Sequence, residues 1–233
     1  GNLRNAIARE AYGIITIPVD KKDEVLASFN KMAASIKDEF QFAEPKLEIN
    51  CAEVELPAFV VDADTQNKLL NAVYACPHGV LEMSSRMEGM VETSTNLASV
   101  KFTDENKIVV TTSQRSEIEG RKYYAAETVK AVFNLAGAKV KHSDGYPGWT
   151  PNPKSDILKT TYASYKKLFG VEPVVRSIHA GLECGLFLEK YPHLDMVSFG
   201  PTIKGAHSPD ERLDISTTEK FWKHLVDVLE NIR

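Results

Sequence analysis

Cysteine is scarce in this sequence: the chain of 233 residues has three, Cys51, Cys76 and Cys184. An odd number without CxxC spacing argues against a disulfide framework and against a cysteine zinc site. Free cysteine is among the most buried residue types, and thiols stay reduced in the cytoplasm. We therefore expect buried free thiols in a cytoplasmic protein.

Long apolar runs and basic stretches are also missing. The longest apolar runs, Ile14–Ile17 and Ala58–Val61, are far too short to span a bilayer. The first residues show no charged leader followed by an apolar stretch, so we expect no signal peptide on this chain. With a net charge of −4 and a pI near 5.9, charges of both signs are interspersed. Membranes and nucleic acids are therefore not expected as partners.

No HExxH motif and no close pair of histidines occurs among the 6 histidines of the chain. Such pairs are what place two imidazoles on one metal ion. The sequence therefore contains no self-contained metal site.

What is present is the make-up of a globular protein, 43% hydrophobic and 26% charged. Apolar residues at helical spacing predict helices at about residues 21–40, 64–75, 120–135, 156–168, 182–188 and 216–232. Alternating or β-branched stretches predict strands at about residues 11–19, 47–51, 91–103, 107–113, 171–178 and 194–199, with a polar turn at 104–106. Up to about residue 145 this order fits a small α+β sandwich, one sheet with helices on one face.

Two helices have a predicted buried stripe, at Ala125, Val129, Val132 and Phe133 and at Phe221, Trp222, Leu225, Val228 and Leu229. Ser216-Thr-Thr-Glu219 predicts a capping box for the last helix.

The segment 145–154 has three prolines and cannot continue a helix or a central strand. We place a domain boundary there. Beyond it, helices alternate with two apolar strands, which indicates an α/β layer. Two strands are too few for a stable sheet, so this part is expected to belong to a larger fold.

Two loops follow the predicted strands of the C-terminal part, where α/β sheets bind ligands. The first, at 178–185, has His179, Glu183 and two glycines, and the second, at 199–211, has His207. Histidine and carboxylates are common zinc ligands. A lone loop histidine, however, is usually solvated or hydrogen-bonded, and Glu183 could simply stabilise the start of a helix. The residues by themselves indicate a binding edge and nothing more specific.

Several segments, in the correct order along the chain, resemble the aminoacyl-histidine dipeptidases, the bacterial relatives of carnosinase. They are Leu3-Arg-Asn-Ala-Ile7, Val91-Glu-Thr-Ser94 with Asn96, Leu135-Ala-Gly-Ala138 with Tyr146-Pro-Gly-Trp149, His179-Ala-Gly-Leu-Glu-Cys-Gly185, Asp195-Met-Val-Ser-Phe-Gly-Pro-Thr202 and Gly205-Ala-His-Ser-Pro-Asp-Glu211. The resemblance implies a zinc peptidase whose catalytic α/β domain is interrupted by an α+β lid that mediates dimer contacts. Residues 1–145 would be part of a ferredoxin-like lid, and 146–233 the last segment of the catalytic domain.

The resemblance also assigns residues. His207 would be a ligand in a centre of two zinc ions about 3.5–4 Å apart, where an activated water attacks the dipeptide bond. Glu183, with Gly181 in the same turn, would receive the free amino group of the substrate. Arg115 would bind the substrate carboxylate, although it could be a solvated arginine at a strand end. Asn5 would approach the scissile carbonyl, although it could be a turn residue.

The general base and the remaining metal ligands of that family have no counterpart in this chain. A catalytic zinc needs about three protein ligands. We therefore expect a C-terminal fragment of a longer cytoplasmic dipeptidase acting on Xaa-His dipeptides, a homodimer through its lid, and no hydrolysis or tight zinc binding by this chain alone. The alternatives are a non-catalytic binding or dimerisation module and an unrelated ferredoxin-like regulatory domain.

Overall fold

The structure, a computed structural model, divides into two compact units. Ala11–Asn67 forms one, and Gly1–Glu10 together with Lys68–Arg233 forms the other. The described residues are 1–143, 145, 147–149, 152, 154–176, 183–206 and 210–232. None of the helices in these ranges is long and apolar enough to cross a membrane. The units do not test the boundary expected at residues 145–146, which stays a prediction.

The centre of the larger unit is an antiparallel sheet of three strands in the order β1-β2-β3. Its strands are β1 (Gly79–Met83), β2 (Val91–Phe102) and β3 (Ile108–Ser116). The strands predicted at 91–103 and 107–113 are thus confirmed, and Asn106 makes the turn between them with a left-handed φ of 53°. Strand β1 was missed. Apolar and polar residues do not alternate in its sequence, and four of its five residues are exposed, so it lacks the usual signal of a strand with one buried face.

Helix α3 (Glu119–Leu135) covers one face of this sheet, and α2 (Ala63–Ala75) joins the same core through Ala72. The core cluster is Ala72, Cys76, Val129 and Phe133, with Leu97 of β2 and Val110 of β3 packed against it. The stripe predicted on α3 is confirmed, since Ala125, Val129 and Phe133 are buried. Burial also raises the pKa of the Cys76 thiol, as expected for a structural cysteine. Cys51, in contrast, is exposed, so the prediction that all three thiols are buried is wrong.

In the smaller unit, a single helical turn at Val19–Lys21 leads into helix α1 (Lys22–Phe40). The helix confirms the prediction for 21–40. The strands predicted at 11–19 and 47–51 are wrong, because neither stretch pairs with another in this unit. Tyr12 is 98% exposed and Ile15 is 69% exposed, so the first of these stretches also lacks a surface to pack on.

The C-terminal part contains helices α4 (Asp156–Phe169), α5 (Glu183–Lys190) and α6 (Ser216–Asn231). Helices α4 and α6 pack on each other through His224, whose Nε2 lies 2.9 Å from the Thr161 carbonyl oxygen. The rings of Tyr165 and Phe199 lie edge-on or tilted against the same imidazole. The predicted inward stripe of α6 is partly wrong, because Trp222 is 63% exposed.

The strands predicted at 171–178 and 194–199 are also wrong over the residues that the structure describes, 171–176 and 194–199. The only β structure of the described C-terminal part is a short ribbon of β4 (Ile203–Lys204) and β5 (Arg212–Leu213). A strand forms only where a neighbour takes its hydrogen bonds. Over the described residues, the C-terminal part therefore consists of helices, the β4–β5 ribbon and unpaired stretches, and the expected α/β layer is not observed there.

The capping box predicted at Ser216–Glu219 is likewise wrong. Asp214 takes that role, because its Oδ1 accepts the Ser216 N–H at 3.1 Å and the Ser216 hydroxyl at 2.6 Å. These bonds lower the pKa of Asp214, the Ser216 hydroxyl most of all. Glu219 pairs with Lys223 instead of returning to the helix start.

Candidate substrate-binding site

The face of the sheet opposite the helices carries the N-terminal segment, residues 1–10. In an antiparallel pair, partnered residues point to the same face, and neighbours along a strand alternate. Ser94 pairs with Arg115, and Asn96 pairs with Ser113, so these four residues share a face. Leu97, the next residue along β2, points to the helix core. Arg115 and the N-terminal segment therefore meet on the face that the helices leave open.

Arg115 and Asn5, 110 positions apart in the sequence, are in direct contact. The Arg115 Nη2 donates a hydrogen bond of 3.3 Å to the Asn5 carbonyl oxygen. Arg115 is half-buried near the end of β3, and Asn5 is exposed. A guanidinium has five N–H donors in a planar fork, so one bond to a carbonyl uses only part of its capacity. The structure thus brings together the two residues that were expected to bind substrate from the lid.

Glu183 is the first residue of α5, and its side chain is exposed. A carboxylate in a first helical turn interacts favourably with the unpaired N–H groups there, so the structural explanation for Glu183 is also satisfied. Gly181, expected in the same turn, lies outside the described residues, as does His179. The structure tests neither of these two residues.

The segment 147–148 connects the end of β3 to α5 by two close approaches. A Cβ on Gly148 would lie 2.9 Å from the Glu117 carbonyl oxygen, and a Cβ on Gly185 would lie 2.7 Å from the Pro147 carbonyl oxygen. Real Cβ atoms do not approach oxygen so closely, so glycine is required at both positions. The strand that carries Arg115 and the helix that begins with Glu183 are therefore packed against the same short segment.

Glu119 stabilises this junction. Its Oε2 accepts the Gly148 N–H at 2.9 Å, and its Oε1 lies 2.7 Å from Lys122 Nζ. Partial burial acts to raise the pKa of Glu119, but the bonds from Lys122 and Gly148 outweigh it and the pKa is lowered. Glu119 therefore holds the junction in its ionised form, which accepts hydrogen bonds more strongly than the protonated form does.

Two further acids near the end of the sheet were not singled out from the sequence. Glu117 is only 1% exposed, and the Ser84 hydroxyl donates to its Oε1 at 2.6 Å. Glu92 is 6% exposed and accepts the Thr93 hydroxyl at 3.2 Å. An acidic residue in or next to a predicted strand does not by itself indicate a buried carboxylate, because an exposed position at the edge of a sheet would have the same sequence pattern. Only the packed sheet shows that these carboxylates are buried.

The loop that contains His207 begins and ends at the β4–β5 ribbon. Ile203 pairs with Leu213 and Lys204 with Arg212. The ribbon is joined to α6, because the Thr202 N–H donates to the Thr217 hydroxyl at 2.9 Å. His207 itself lies outside the described residues. The ranges that the structure does describe contain no group of three His, Cys, Asp or Glu side chains that could hold a metal ion. They therefore do not fit a zinc centre by themselves.

The other histidines have structural contacts or are exposed. His78 Nδ1 accepts the Leu97 N–H at 2.9 Å and so replaces a carbonyl at the start of β1. His224 is buried between α4 and α6. His142 lies 3.6 Å from Glu127 on the surface, and His193 is exposed.

Comparison with known proteins identifies relatives along the whole chain. The model of the family described as "Peptidase family M20/M25/M40" matches residues 13–231. The cytosol non-specific dipeptidase of Escherichia coli (strain K12) is 37% identical over 232 residues, which is 100% of this chain and 48% of that protein. The chain thus spans about half the length of the curated relative it matches.

Two solved structures are similar to this one. The aminoacylhistidine dipeptidase of Vibrio alginolyticus matches with a TM-score of 0.79 and 40% identity, over 93% of this chain and 44% of that one. The aminopeptidase PepT of Bacillus cereus ATCC 10987 matches with a TM-score of 0.50 and 16% identity, over 71% of this chain and 44% of that one, which is a likeness of fold alone. The resemblance to the aminoacyl-histidine dipeptidases is confirmed. The chain belongs to peptidase family M20/M25/M40.

Proposed function

We propose that this chain provides substrate-binding groups of a cytoplasmic metallodipeptidase that hydrolyses Xaa-His or similar dipeptides. The contact between Arg115 and Asn5, a hydrogen bond of 3.3 Å across 110 positions, is the observation that carries the proposal. The names of the relatives, a cytosol non-specific dipeptidase and an aminoacylhistidine dipeptidase, support the substrate class and the location.

The chemistry of a dipeptide explains why these residue types suit the task. A free dipeptide has an ammonium group at one end and a carboxylate at the other, at most about 7 Å apart across two extended residues. The Arg115 guanidinium matches the carboxylate, because its planar fork donates two parallel bonds to the two oxygens. Glu183 matches the ammonium. A site with both charges selects dipeptides over longer peptides, in which these charges lie further apart.

Asn5 has a separate part in the proposal. Its side-chain amide would donate a hydrogen bond to the scissile carbonyl oxygen, which gains negative charge when the peptide bond is attacked. Arg115 binds the Asn5 main chain, so it orients this residue as well as the substrate.

His207 is proposed as one ligand of the zinc centre of the whole protein. Its remaining ligands and the general base would come from polypeptide that the relatives have and this chain does not span. The homodimer contact through a ferredoxin-like lid, residues 1–145, belongs to the same proposal. So does the expectation that residues 1–233 alone neither bind zinc tightly nor hydrolyse dipeptides.

The proposal is tested in a full-length protein of the family that contains this sequence. Arg115→Ala should raise KM for a Xaa-His dipeptide about 10- to 100-fold, the usual effect of removing a charged hydrogen-bond donor. Bound zinc, measured by atomic absorption, should be unchanged. His207→Ala should instead lower bound zinc and abolish turnover.

The decisive control compares each dipeptide with its C-terminal amide. The unmodified enzyme should prefer the free acid, and Arg115→Ala should lose that preference. Arg86→Ala, an arginine of the β1–β2 connection, should keep it. A preference for the acid that survives Arg115→Ala would refute the role of Arg115, and unchanged zinc in His207→Ala would remove His207 from the metal centre.

A further inference from the structure

Asn96 lies midway along β2, on the same face of the sheet as Arg115. Its Nδ2 donates two hydrogen bonds, at 3.1 Å to the Arg4 carbonyl oxygen and at 2.8 Å to the Ala6 carbonyl oxygen. These two carbonyls are the immediate neighbours of Asn5, and the Asn5 carbonyl takes the bond from Arg115. Three consecutive carbonyls are therefore held by two side chains of the sheet.

The orientation of the Asn96 amide is determined by these bonds. With the amide reversed, its oxygen would face two carbonyl oxygens, which cannot donate. The Oδ1 is buried and, within the described residues, has no hydrogen-bond partner. A buried polar atom without a partner is unusual and requires an explanation. Here it follows from the two bonds that the same amide makes on its other side.

We propose that Asn96 is a positioning residue that sets the orientation of Asn5 for catalysis. The inference rests on the proposed function, because that function assigns Asn5 to the scissile carbonyl. Asn96 does not reach the substrate. It acts by holding the main chain on both sides of Asn5, so that the Asn5 side chain keeps one direction.

Two other contacts hold the N-terminal segment without fixing Asn5, one from the sheet and one to the chain after α3. The Lys101 ammonium donates to Asn2 Oδ1 at 3.0 Å, and the Arg4 guanidinium donates to Ser143 Oγ at 2.8 Å. Both bonds are exposed and made by long side chains, so they tolerate displacement of the main chain. Loss of the Asn96 donors should therefore loosen residues 4–6 without detaching the segment.

The first test is structural and independent of activity. Asn96→Asp has the same shape but no N–H donors, and Asn96→Ala removes the donors without placing a charge in the sheet. Both should accelerate tryptic cleavage of the Arg4–Asn5 bond severalfold at unchanged circular dichroism. Asn106→Asp makes the same change of charge in the β2–β3 turn and should leave the cleavage rate unaltered. Should Asn96→Asp fail to fold, Asn96→Ala decides the result.

The second test is kinetic, in the full-length enzyme. Either variant should lower kcat about 10- to 100-fold with little change in KM, because a small displacement of a catalytic group slows the reaction more than it weakens binding. In an Asn5→Ala background, the Asn96 substitution should cause no further loss. Additive losses, or cleavage at the unmodified rate, would overturn the proposal.

The two proposals fail in different ways. If Asn5→Ala retains full activity, the assignment of Asn5 in the proposed function is wrong, and with it the catalytic purpose of Asn96. Faster cleavage in the Asn96 variants would then still establish the bonds to the segment. If Asn5→Ala is inactive but the Asn96 variants are fully active, only the inference about Asn96 is wrong.

Discussion

The hairpin of β2 and β3 and the stretches 171–176 and 194–199 were all predicted as strands, yet among them only the hairpin forms a sheet. The two strands of the hairpin are joined by the short turn at residues 103–107, so each finds its partner next to it along the chain. The other two stretches are separated by α5. A helical crossover is typical of parallel strands, which form sheets buried on both faces.

The difference teaches that an apolar, β-branched sequence favours a strand but that a hydrogen-bonded partner decides whether the strand forms. Val174 is 76% exposed and Ile215 is 82% exposed, so the C-terminal part presents apolar side chains that its own chain does not cover. The hairpin, in contrast, is covered on one face by α3 through Val129 and Phe133. The same reasoning explains residues 11–18, where Ile14 and Ile15 are exposed.

Hydrogen exchange gives the largest expected contrast between the two regions. In the 233-residue chain, amides of β2 and β3 should exchange on the order of a thousandfold more slowly than those of 171–176 and 195–199, because only the former are paired between strands. In a full-length protein of the family, the two stretches should become protected to a similar degree. Protection of 195–199 in the 233-residue chain would show that this stretch has a hydrogen-bonded partner in the same chain, and the contrast with the hairpin would be wrong.

Truncation of core residues should sharpen the same contrast. Phe133→Ala should lower the free energy of unfolding by about 3–5 kcal/mol, since it removes a buried aromatic ring beneath the sheet. Trp222→Ala, at a position 63% exposed in this chain, should change it by no more than about 0.5 kcal/mol. Urea unfolding of both variants measures this. A large loss in Trp222→Ala would mean that α6 is packed as firmly as α3.

Asp195, in the stretch 194–199, provides the smallest effect, through its bonds to the start of α4. Its Oδ2 accepts the N–H groups of Asp156 at 2.7 Å and Ile157 at 3.0 Å, so it caps α4. Asp195→Ala should destabilise the chain by about 1 kcal/mol at pH 7. Asp104→Ala, in the exposed β2–β3 turn, serves as the control.

The effect should depend on pH in one direction. The Ser155 hydroxyl, followed by the helix amides, lowers the pKa of Asp195 below its ordinary value of 3.8. A lowered pKa means that the stabilisation is present above the unfolded value and is lost as pH falls through the folded value. The difference between Asp195→Ala and the unmodified chain should therefore vanish in acid. A difference that persisted there would assign the effect to packing.

Local patterns were sufficient for part of the fold. The turn at residues 104–106 and the stripe of Val129 and Phe133 depend on neighbours a few positions away, and both were predicted. The start of α6 was also predicted, but its cap was not, because Asp214 and Ser216 are both suitable capping residues and spacing alone does not rank them. Strand β1 was missed since its side chains are mostly exposed.

The residues of the candidate site also divide into those that sequence motifs identify and those that only the fold reveals. Asn5 and Arg115 were chosen from their motifs, but nothing in the sequence relates two residues 110 positions apart. Asn96 was part of a motif without a role until its two bonds to the N-terminal segment were seen. Glu117 resembled an ordinary strand-end acid until its burial was known.

The sequence by itself determined the family, the helices of the described residues to within a few positions, and the hairpin, because each depends on local spacing or on motifs read in order. Only the tertiary structure decided which apolar stretches become strands, which carboxylates are buried, and that Asn96 and Arg115 hold Asn5 between them. Those outcomes depend on partners distant in sequence, and a hydrogen bond or a packed face exists only where the fold brings both sides together.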